Sequence, residues 1–578
     1  MKADSSIKLV AASMISSDED SNSDASTDAL LTSDSEEEEV VDESLSESDG
    51  EQDHGSWTSV TCGQDARPAD LPPFLGTTGI NPEVELPEDG QDSTAFFLSL
   101  FVTDQLIAGL QKWTNAKARY EVSCHEAAGD QGDLPPKLKK WTECTEEEIR
   151  KLLGMMLYMG LNPLPRLRMY WSTDPLFYRP YFHQPHSLSR NRFQALLSFL
   201  RCYDAENMDA ADELHKIRPF LEIVQTACSS VYTPECEVSV DETLVMYRGR
   251  VAIRQYITSK KAKYGLKMYC LTEASSGYLY KFLIHSSAAQ HAHFADGLDC
   301  GQLSMSEKTV VELMRDLLGH GRHVFCDNWF GSARLAQFLL ERRTLLTCTV
   351  RKDRGPPKEL QAQPTPTPGH KFMRKGCILA VKVSDRKTSC AKTVYLLDTK
   401  LTAGCAQKTR IGKQGTEQHF RQVASVAAYN KGMGGVDRLD AALSPYSSNR
   451  RTYKWTHKLL FHFLLVLVHN SFVVQSKAGG EKTDFLQFIA AAVRSLVETT
   501  GRGRARAIVQ PAGVGRVAPV QRHSPKRFLP TATQPRPSKR CRYCKSQGVE
   551  KKTVFTCAAC PGSPPLCAAP CFERWHSG

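Results

Sequence analysis

The spacing of hydrophobic positions changes partway along the chain. From about Thr94, the stretches AFFLSLFVTDQLIAGLQKW and EEEIRKLLGMMLYMGL repeat apolar residues three and four positions apart, which predicts amphipathic helices. Similar stretches continue to Tyr232, so we predict a helical module over residues 94–232. From Pro234, short β-branched and aromatic runs predict antiparallel strands, followed by alternating helix and strand. This order predicts a mixed α/β core over residues 233–500.

Three other parts of the chain lack this regular pattern. Residues 351–422 are rich in Pro, Lys and Thr and contain one clear strand pair, CILAVKV and KTVYLL, so we interpret them as an insertion into the core. The chain begins with a polar sequence rich in Ser, Asp and Glu, and we predict an acidic disordered tail over residues 1–93. Residues 501–540 predict a disordered basic linker, since residues 501–545 contain 12 Lys or Arg and no acidic residue.

Composition excludes a wholly disordered chain and indicates a polyanionic partner. The chain has 578 residues, of which 41% are hydrophobic, enough to bury a core in several domains. The net charge of +9 conceals an asymmetry, because residues 18–53 contain 16 acidic residues and no Lys or Arg. The remainder therefore carries a net charge of +25. Nucleic acid is the commonest partner for such a surface inside a cell.

The sequence predicts a soluble protein from a reducing compartment. The chain has 19 cysteines but is long, and no signal peptide is visible. Its longest apolar run, Leu459–Val474, is interrupted by polar residues and is shorter than the roughly 20 residues of a membrane helix. We therefore expect no membrane association.

Three aspartates stand at positions from which rigid backbone could aim them into one pocket. Asp241 ends the apolar run VSVD, Asp327 ends HVFCD, and Asp437 follows the Gly-rich turn GMGGVD at the start of a helix. Carboxylates suit Mg²⁺, and two such ions can stabilise both oxygens of a phosphoryl transfer. Aspartates at strand ends are also common turn formers and caps, so spacing alone leaves both interpretations open.

Longer motifs resemble a known family. The stretches VSVDETLVMYRGR, CDNWFGSARLAQFL and YNKGMGGVDRLDAALSPYSSNRR, followed by KWTHKLLFHFLL, are similar to the piggyBac family of DNA transposases and transposase-derived proteins. The resemblance runs from about Thr94 to the C-terminus. It implies an RNase H-like catalytic core with an insertion, a preceding helical DNA-binding and dimerisation domain, and a small cysteine-rich zinc domain at the end.

The resemblance also implies a catalytic chemistry. The family's metal-binding aspartates correspond to Asp241, Asp327 and Asp437, which would hold two Mg²⁺ ions, and Asp440 corresponds to a further supporting carboxylate. The expected reaction nicks double-stranded DNA at the terminal inverted repeats of an element, forms a hairpin, reopens it and joins the 3′-end to a TTAA target. Because two element ends must be paired, we expect a homodimer.

Basic residues near these motifs predict a DNA-binding groove. The candidates flank the first aspartate motif and the tryptophan of KWTHK, and one of them, Trp455, could stack on an unpaired base or simply pack in the core. Trp329, directly after Asp327, is more typical of packing. The predicted DNA-binding residues are Arg248, Arg250, Lys260, Lys263, Arg450, Arg451, Lys454 and Trp455. Short basic runs such as SPKRF also suit nuclear localisation.

The C-terminal cysteines predict zinc binding over residues 541–578. Two C-x-x-C pairs and three later donors have the spacing that tetrahedral zinc requires. These donors are Cys541, Cys544, Cys557, Cys560, Cys567, Cys571 and His576. A cross-brace of two Zn²⁺ ions needs eight donors, and seven are found, so the sequence is compatible with one ion or two.

Three functions are compatible with these features. The first is a transposase of the piggyBac type that is active or potentially active. The second is a domesticated, transposition-inactive DNA-binding protein that keeps the fold and a zinc-binding reader tail. The third is a zinc-dependent protein reader of RING or PHD type, which accounts only for the last 40 or so residues.

Overall fold

The computed structural model describes most of the chain between residues 56 and 576. The described residues are 56–65, 71–86, 93–127, 136–205, 208–209, 211–258, 263–286, 294, 296–367, 369–386, 391–411, 417–447, 452, 454–479, 483–498, 525–528, 534, 537–557, 560 and 563–576. The acidic stretch 1–55 and most of the basic linker lie outside them. The chain divides into two compact units, Met1–Val509 and Gln510–Gly578.

The first unit contains a ten-stranded sheet and two small strand pairs. Its strands are β1 Thr58–Val60, β2 Gly79–Ile80, β3 Tyr232–Thr233, β4 Glu237–Met246, β5 Arg254–Tyr256, β6 Tyr264–Glu273, β7 Leu279–Ile284, β8 His323–Cys326, β9 Leu345–Val350, β10 Gly369–Lys375, β11 Ile378–Arg386, β12 Ala391–Asp398, β13 Cys405–Ile411 and β14 Glu417–Val423. The order in the large sheet is β1-β10-β11-β12-β9-β8-β4-β6-β5, with β7 also paired to β6. Strands β2 and β3 form one small pair, and β13 and β14 form the other.

Helices surround the sheet and supply much of the core. They are α1 Ser93–Phe101, α2 Asp104–Ala127, α3 Pro136–Lys139, α4 Glu146–Leu161, α5 Arg190–Phe199, α6 Arg218–Val231, α7 Met305–Met314, α8 Ala333–Glu341, α9 Lys358–Ala362, α10 Ala424–Gly432, α11 Gly435–Leu443, α12 Trp455–Lys477 and α13 Phe485–Glu498. Short 3₁₀ turns occupy Leu167–Trp171, Pro180–His183, Arg315–Leu317 and Ser444–Tyr446.

Five central strands form the predicted RNase H-like core. Strands β7, β6 and β4 pair in antiparallel fashion, whereas β4, β8 and β9 run parallel. Numbered along the chain, these five strands have the spatial order 3-2-1-4-5, and helices α7 and α8 lie in the connections before and after β8. The mixed α/β fold class is confirmed.

The predicted helical module packs on helices of the predicted catalytic core. Helices α1 and α4 belong to the predicted module 94–232, but they pack directly on α12 and α13 from the end of the chain's core region. A helical sequence pattern reports only which face is apolar, and here those faces share one core with the later helices.

The predicted insertion joins the main sheet. The expected strand pair is confirmed as β11 and β12, and β12 pairs with β9 so that the sheet continues into residues 351–422. Among the described residues of this region, the β13–β14 hairpin forms a separate sheet.

Part of the predicted disordered tail is ordered. Strand β1 pairs with β10, with Thr58 opposite Arg374. The guanidinium of Arg374 also forms an ion pair with Asp65, and both side chains are buried. The polar composition of residues 56–65 hid this contact because an edge strand needs only backbone hydrogen bonds and a few anchoring side chains.

The apolar run of the sequence is a core helix. Helix α12 is long and apolar enough to cross a membrane by length and composition, yet 78% of its apolar window is buried inside the protein. Its polar Asn470 bonds both backbone groups of Leu279 on β7, at 3.0 Å and 2.8 Å. The polar interruption therefore satisfies strand groups that burial would otherwise leave unpaired.

The second unit is a small cysteine-rich module. Its strands are β15 Pro525–Arg527, β16 Lys539–Arg540, β17 Lys552–Thr553 and β18 Phe555–Cys557, and its helices are α14 Arg542–Ser546 and α15 Cys571–His576. Strand β15 pairs with β18, and β16 pairs with β17. The expectation of a disordered linker up to residue 540 is therefore wrong for β15 and β16, which belong to this module.

Candidate active site and zinc-binding module

Parallel pairing brings two predicted catalytic residues together. Strands β4 and β8 are in register with Val240 opposite Cys326. One residue further along, this register sets Asp241 beside Asp327. Asp327 follows the last residue of β8, as predicted, whereas β4 continues past Asp241 to Met246. Neighbouring strands lie about 4.8 Å apart, so the two carboxyl groups share one edge of the core.

A third carboxylate completes the cluster. Carboxyl oxygens of Asp241, Glu242 and Asp327 all lie within 4.8 Å of one another, and the three side chains are half-buried. The sequence analysis missed Glu242, although it directly follows Asp241 in the motif. Three hard oxygen donors in one partly solvated cluster are the ligand set that Mg²⁺ prefers.

The electrostatics of Asp327 reflect this crowding. Burial and the adjacent charge of Glu242 raise the pKa of Asp327 to about 6, although backbone hydrogen bonds and Lys267 oppose the shift. One of those bonds is donated by the Trp329 amide to Oδ1 at 3.0 Å. The cluster therefore holds more negative charge than its surroundings compensate, which is the condition in which a divalent cation binds favourably.

A buried lysine lies on the same edge of the core. Lys267 is only 5% exposed. Its ammonium lies 4.9 Å from the ring centre of Trp329 and 5.4 Å from that of Tyr269, and these two rings stack. Trp329 is therefore a packing residue, as expected. A lysine inside the apolar run YGLKMYCLTE was the only sequence signal for this position.

Asp440 lies against the same strand as Asp241. Both of its carboxyl oxygens accept hydrogen bonds from Thr243 Oγ1, at 2.9 Å and 2.8 Å. Asp440 and Asp241 also both raise the pKa of the buried Cys270 thiol on β6, after the larger effect of burial. Asp440 thus stands close to the cluster and is held by β4.

Asp437 is not a member of the carboxylate cluster. It lies in the first turn of α11, as the Gly-rich turn predicted, and its side chain is exposed. The close approach of α11 to the sheet depends on Gly435, where a Cβ would lie 2.3 Å from Ser239 Oγ. Its role as a metal ligand stays a prediction.

The predicted DNA-binding residues divide into three groups. Arg248, Arg250 and Lys263 are exposed around the β4–β5 and β5–β6 connections. Lys260, Arg450 and Arg451 lie outside the described residues. The third group, Lys454 and Trp455, lies at the start of α12 and is partly buried.

Lys454 and Trp455 contribute to packing. The ammonium of Lys454 donates a hydrogen bond of 2.5 Å to the Ser198 carbonyl, and burial lowers its pKa to about 8. Trp455 packs against the main hydrophobic core. Lys454 nevertheless lines a cavity of about 1310 Å³ together with Thr243 and Asp440, next to the carboxylate cluster.

Two exposed aromatic residues were missed by the sequence analysis. Tyr256 and Tyr264 are 49% and 41% exposed, and their ring centres lie 4.7 Å apart across β5 and β6. The guanidinium of Arg254 lies 5.0 Å from the Tyr264 ring centre. Aromatic rings flanked by arginine are the usual platform for stacking on nucleic-acid bases.

Four cysteines of the terminal module form a complete zinc-ligand set. The sulfurs of Cys541, Cys544, Cys567 and Cys571 lie within 4.8 Å of one another and are buried. Burial opposes ionisation of Cys541, but hydrogen bonds from Cys544 and Cys567 outweigh it and lower the pKa of its thiol to about 7. A thiol that ionises readily is a favourable zinc ligand, and the cysteine set fits Zn²⁺.

The remaining donors form a second group. Cys557, Cys560 and His576 lie within 4.8 Å of one another, and His576 Nε2 is 3.2 Å from the Cys560 sulfur. The other ring nitrogen, Nδ1, donates to the Phe572 carbonyl at 2.7 Å, which orients the ring so that Nε2 faces the cysteines as the nitrogen that could bind a metal. The donor pairs alternate along the chain between the two groups, as a cross-brace requires. Within the described residues, the second group has three donors.

Two family models match the chain. The model described as Transposase IS4 matches residues 92–472, and the model described as DDE_Tnp_1-like zinc finger matches residues 531–577. The first match covers well over half of the chain and includes Asp241, Asp327, Asp437 and Asp440. The second includes every predicted zinc ligand.

Individual proteins show the same relationship. The human PiggyBac transposable element-derived protein 3 is 26% identical over 412 residues, which are 70% of this chain and 65% of the relative. The human PiggyBac transposable element-derived protein 2 is 28% identical over 381 residues, 62% of this chain and 61% of the relative. The chain thus spans less than two thirds of the length of these relatives.

A solved structure is similar as well. A cryo-EM structure of a piggyBac transposase synaptic complex with hairpin DNA has a TM-score of 0.57 and 25% identity, and the match covers 73% of this chain and 83% of that one. Together with the family models and the RNase H-like strand order, this similarity shows that this chain belongs to the piggyBac-type transposase family and carries a zinc finger at its C-terminal end.

Proposed function

We propose that this protein is a DNA transposase that cuts and joins DNA strands by metal-dependent phosphoryl transfer. The observation that carries the proposal is the cluster of Asp241, Glu242 and Asp327, which the parallel register of β4 and β8 assembles on an RNase H-like sheet. Two bound Mg²⁺ ions would supply stabilisation of the attacking and leaving oxygens. Asp241, Asp327 and Asp437 are the proposed ligands, and the donor chemistry of the first two fits these ions.

The chain's own residues hold this cluster in place. The Trp329 amide orients Asp327 through a hydrogen bond, and the nearby ammonium of Lys267 offsets part of the negative charge. Thr243 fixes the Asp440 carboxylate beside β4. Such preorganisation lets the site position a phosphodiester without reorganising during the reaction.

The DNA substrate follows from charge and from the family. Arg248, Arg250 and Lys263 are exposed near the end of β4, where they can neutralise phosphates. We propose that double-stranded DNA with terminal inverted repeats is cut through a hairpin intermediate and joined to TTAA targets. The solved relative contains hairpin DNA in a synaptic complex, which supports this course.

Because two DNA ends must be paired, we propose that the protein acts as a homodimer. We also propose that the zinc module binds the terminal repeats. The basic sequence that precedes the zinc module and the proposed DNA substrate support a location in the nucleus. A protein-binding role of the zinc module is the alternative, and binding of the full-length protein to repeat DNA, with and without substitution of Cys544, separates the two roles.

A strand-cleavage assay tests the proposed catalysis. Full-length protein and Asp327→Asn are incubated with a DNA hairpin that carries TTAA at its tip and with an element-bearing plasmid, in Mg²⁺ or Mn²⁺. The wild type should open the hairpin and excise the element, while Asp327→Asn should lose activity by a factor of about 10³ or more, as expected for loss of a metal ligand. Equal activity of the two proteins would end the catalytic proposal.

A second candidate is a domesticated DNA-binding protein without transposition activity. The position of Asp437 outside the carboxylate cluster favours it, because only two of the three predicted metal ligands are brought together. Such a protein would give a footprint on repeat DNA but no nick in Mg²⁺. Footprinting and nicking measured in the same samples distinguish the two functions.

A further inference from the structure

Three potential metal donors meet in the first unit and form a group separate from the carboxylate cluster. The sulfurs of Cys62 and Cys405 and a ring nitrogen of His370 all lie within 4.8 Å of one another. The Cys405 sulfur is 3.6 Å from His370 Nε2. These residues belong to three separate segments of the first unit, so no local sequence motif links them.

The fold explains why the three donors converge. In the antiparallel pairing of β1 and β10, Val60 is opposite Phe372, and the same register continued by two residues sets Cys62 opposite His370. Cys405 is the first residue of β13. The connection just before it is bonded to the segment after β1, because the Gly63 amide donates to the Ala403 carbonyl at 2.8 Å.

Further contacts hold the segment that carries Cys62. Asp65 forms the buried ion pair with Arg374 and accepts a hydrogen bond of 2.7 Å from the Ala403 amide. The segment is thus tied to both β10 and the start of β13. The donors are consequently presented by ordered backbone on all three sides.

We propose that Cys62, His370 and Cys405 bind a Zn²⁺ ion. This ion would link the segment 56–65, which carries Cys62, to strands β10 and β13. Two thiolates and one imidazole are a typical zinc donor set, and water can take the fourth position. In a tetrahedral site with ordinary Zn–S and Zn–N bonds, a sulfur and a nitrogen ligand are about 3.6 Å apart, as Cys405 and His370 are here. The Arg421 guanidinium lies 4.0 Å from the Cys62 sulfur.

The metal content of the full-length protein tests this site. Protein purified under reducing conditions is analysed for zinc per chain as wild type, Cys405→Ser, His370→Ala and the matched control Cys377→Ser, a partly exposed cysteine between β10 and β11. The first two variants should each lose one zinc equivalent, and the control should lose none. Combining Cys405→Ser with Cys544→Ser should remove zinc additively, because Cys544 belongs to the other module.

A second measurement does not depend on the folding of the variants. In the wild type, Cys62 and Cys405 should resist alkylation until a chelator is added, whereas the exposed Cys124 should react throughout. Unchanged zinc content in Cys405→Ser and His370→Ala would overturn the proposal. So would alkylation of Cys62 and Cys405 that is independent of chelator, or a Cys62–Cys405 disulfide in the peptide map of the reduced preparation.

Discussion

Because the pKa of Asp327 is raised, we predict that the substitution Asp327→Asn stabilises the metal-free protein against unfolding. Asparagine has the shape of aspartate and can still accept the hydrogen bond from the Trp329 amide, but it carries no charge. The pKa of Asp327 is raised from 3.8 to about 6 by burial and by Glu242. Replacing this carboxyl group removes an unfavourable buried charge at neutral pH.

The magnitude and sign follow from linkage. A shift of about two units corresponds to at most about 3 kcal/mol, and the partial exposure of Asp327 reduces this to about 1–2 kcal/mol. Because the folded pKa is above the unfolded value, the stability associated with this group is fully present below pH 3.8 and is lost as the pH rises through about 6. The advantage of Asp327→Asn should therefore grow from about pH 4 to about pH 6 and level off at higher pH.

The assay is denaturant unfolding of full-length protein in EDTA, followed by tryptophan fluorescence at several pH values. Asp353→Asn, in an exposed position after β9, is the matched control and should show no such trend. Adding Mg²⁺ or Mn²⁺ should reverse the order, because an ion that binds only the folded wild type stabilises it. A pH-independent difference between wild type and Asp327→Asn, or equal stabilisation of both by the ions, would refute the reasoning.

Three further predictions test other parts of the molecule. The ammonium of Lys267 lowers the pKa of Asp327, so in a Lys267→Met background the stability gained by Asp327→Asn should develop at higher pH. The same pH dependence with and without Lys267→Met would contradict this electrostatic coupling. Gly435→Ala should destabilise the first unit by about 1–3 kcal/mol in denaturant unfolding and reduce strand cleavage, because its Cβ would meet Ser239 Oγ at 2.3 Å and push α11 off the sheet. His576→Ala should remove one zinc equivalent while the four-cysteine set keeps its own, and metal analysis showing no loss would mean that the second donor group binds no zinc.

The sequence predicted the chemistry of each site better than it predicted which residues meet there. The C-x-x-C pairs could be recognised from their local spacing, whereas the aspartates, far apart in the chain, were identified by the longer motifs that resemble the family. The sequence was compatible with one zinc ion or two, and only the folded module shows which cysteines lie together. The contact of the Lys454 ammonium with the Ser198 carbonyl could not be predicted, because these residues are 256 positions apart.

Hydrophobic periodicity alone was sufficient for the fold class, since it identifies which segments are helices and strands and which faces are apolar. It could not predict that helices from residues 94–232 share a core with α12 and α13, because an apolar face does not specify its partner. It also could not identify Glu242 and Lys267 as neighbours of Asp327. Strand order and register decide those contacts, and register depends on interactions between residues far apart in the chain.

The same physical reason separates the two kinds of metal site. The terminal zinc ligands could be predicted because tight turns present neighbouring cysteines together. The cluster of Cys62, His370 and Cys405 exists only because β1 pairs with β10 beside the start of β13. Residue type and local spacing determine what chemistry is possible, and only long-range strand pairing decides where donors actually meet.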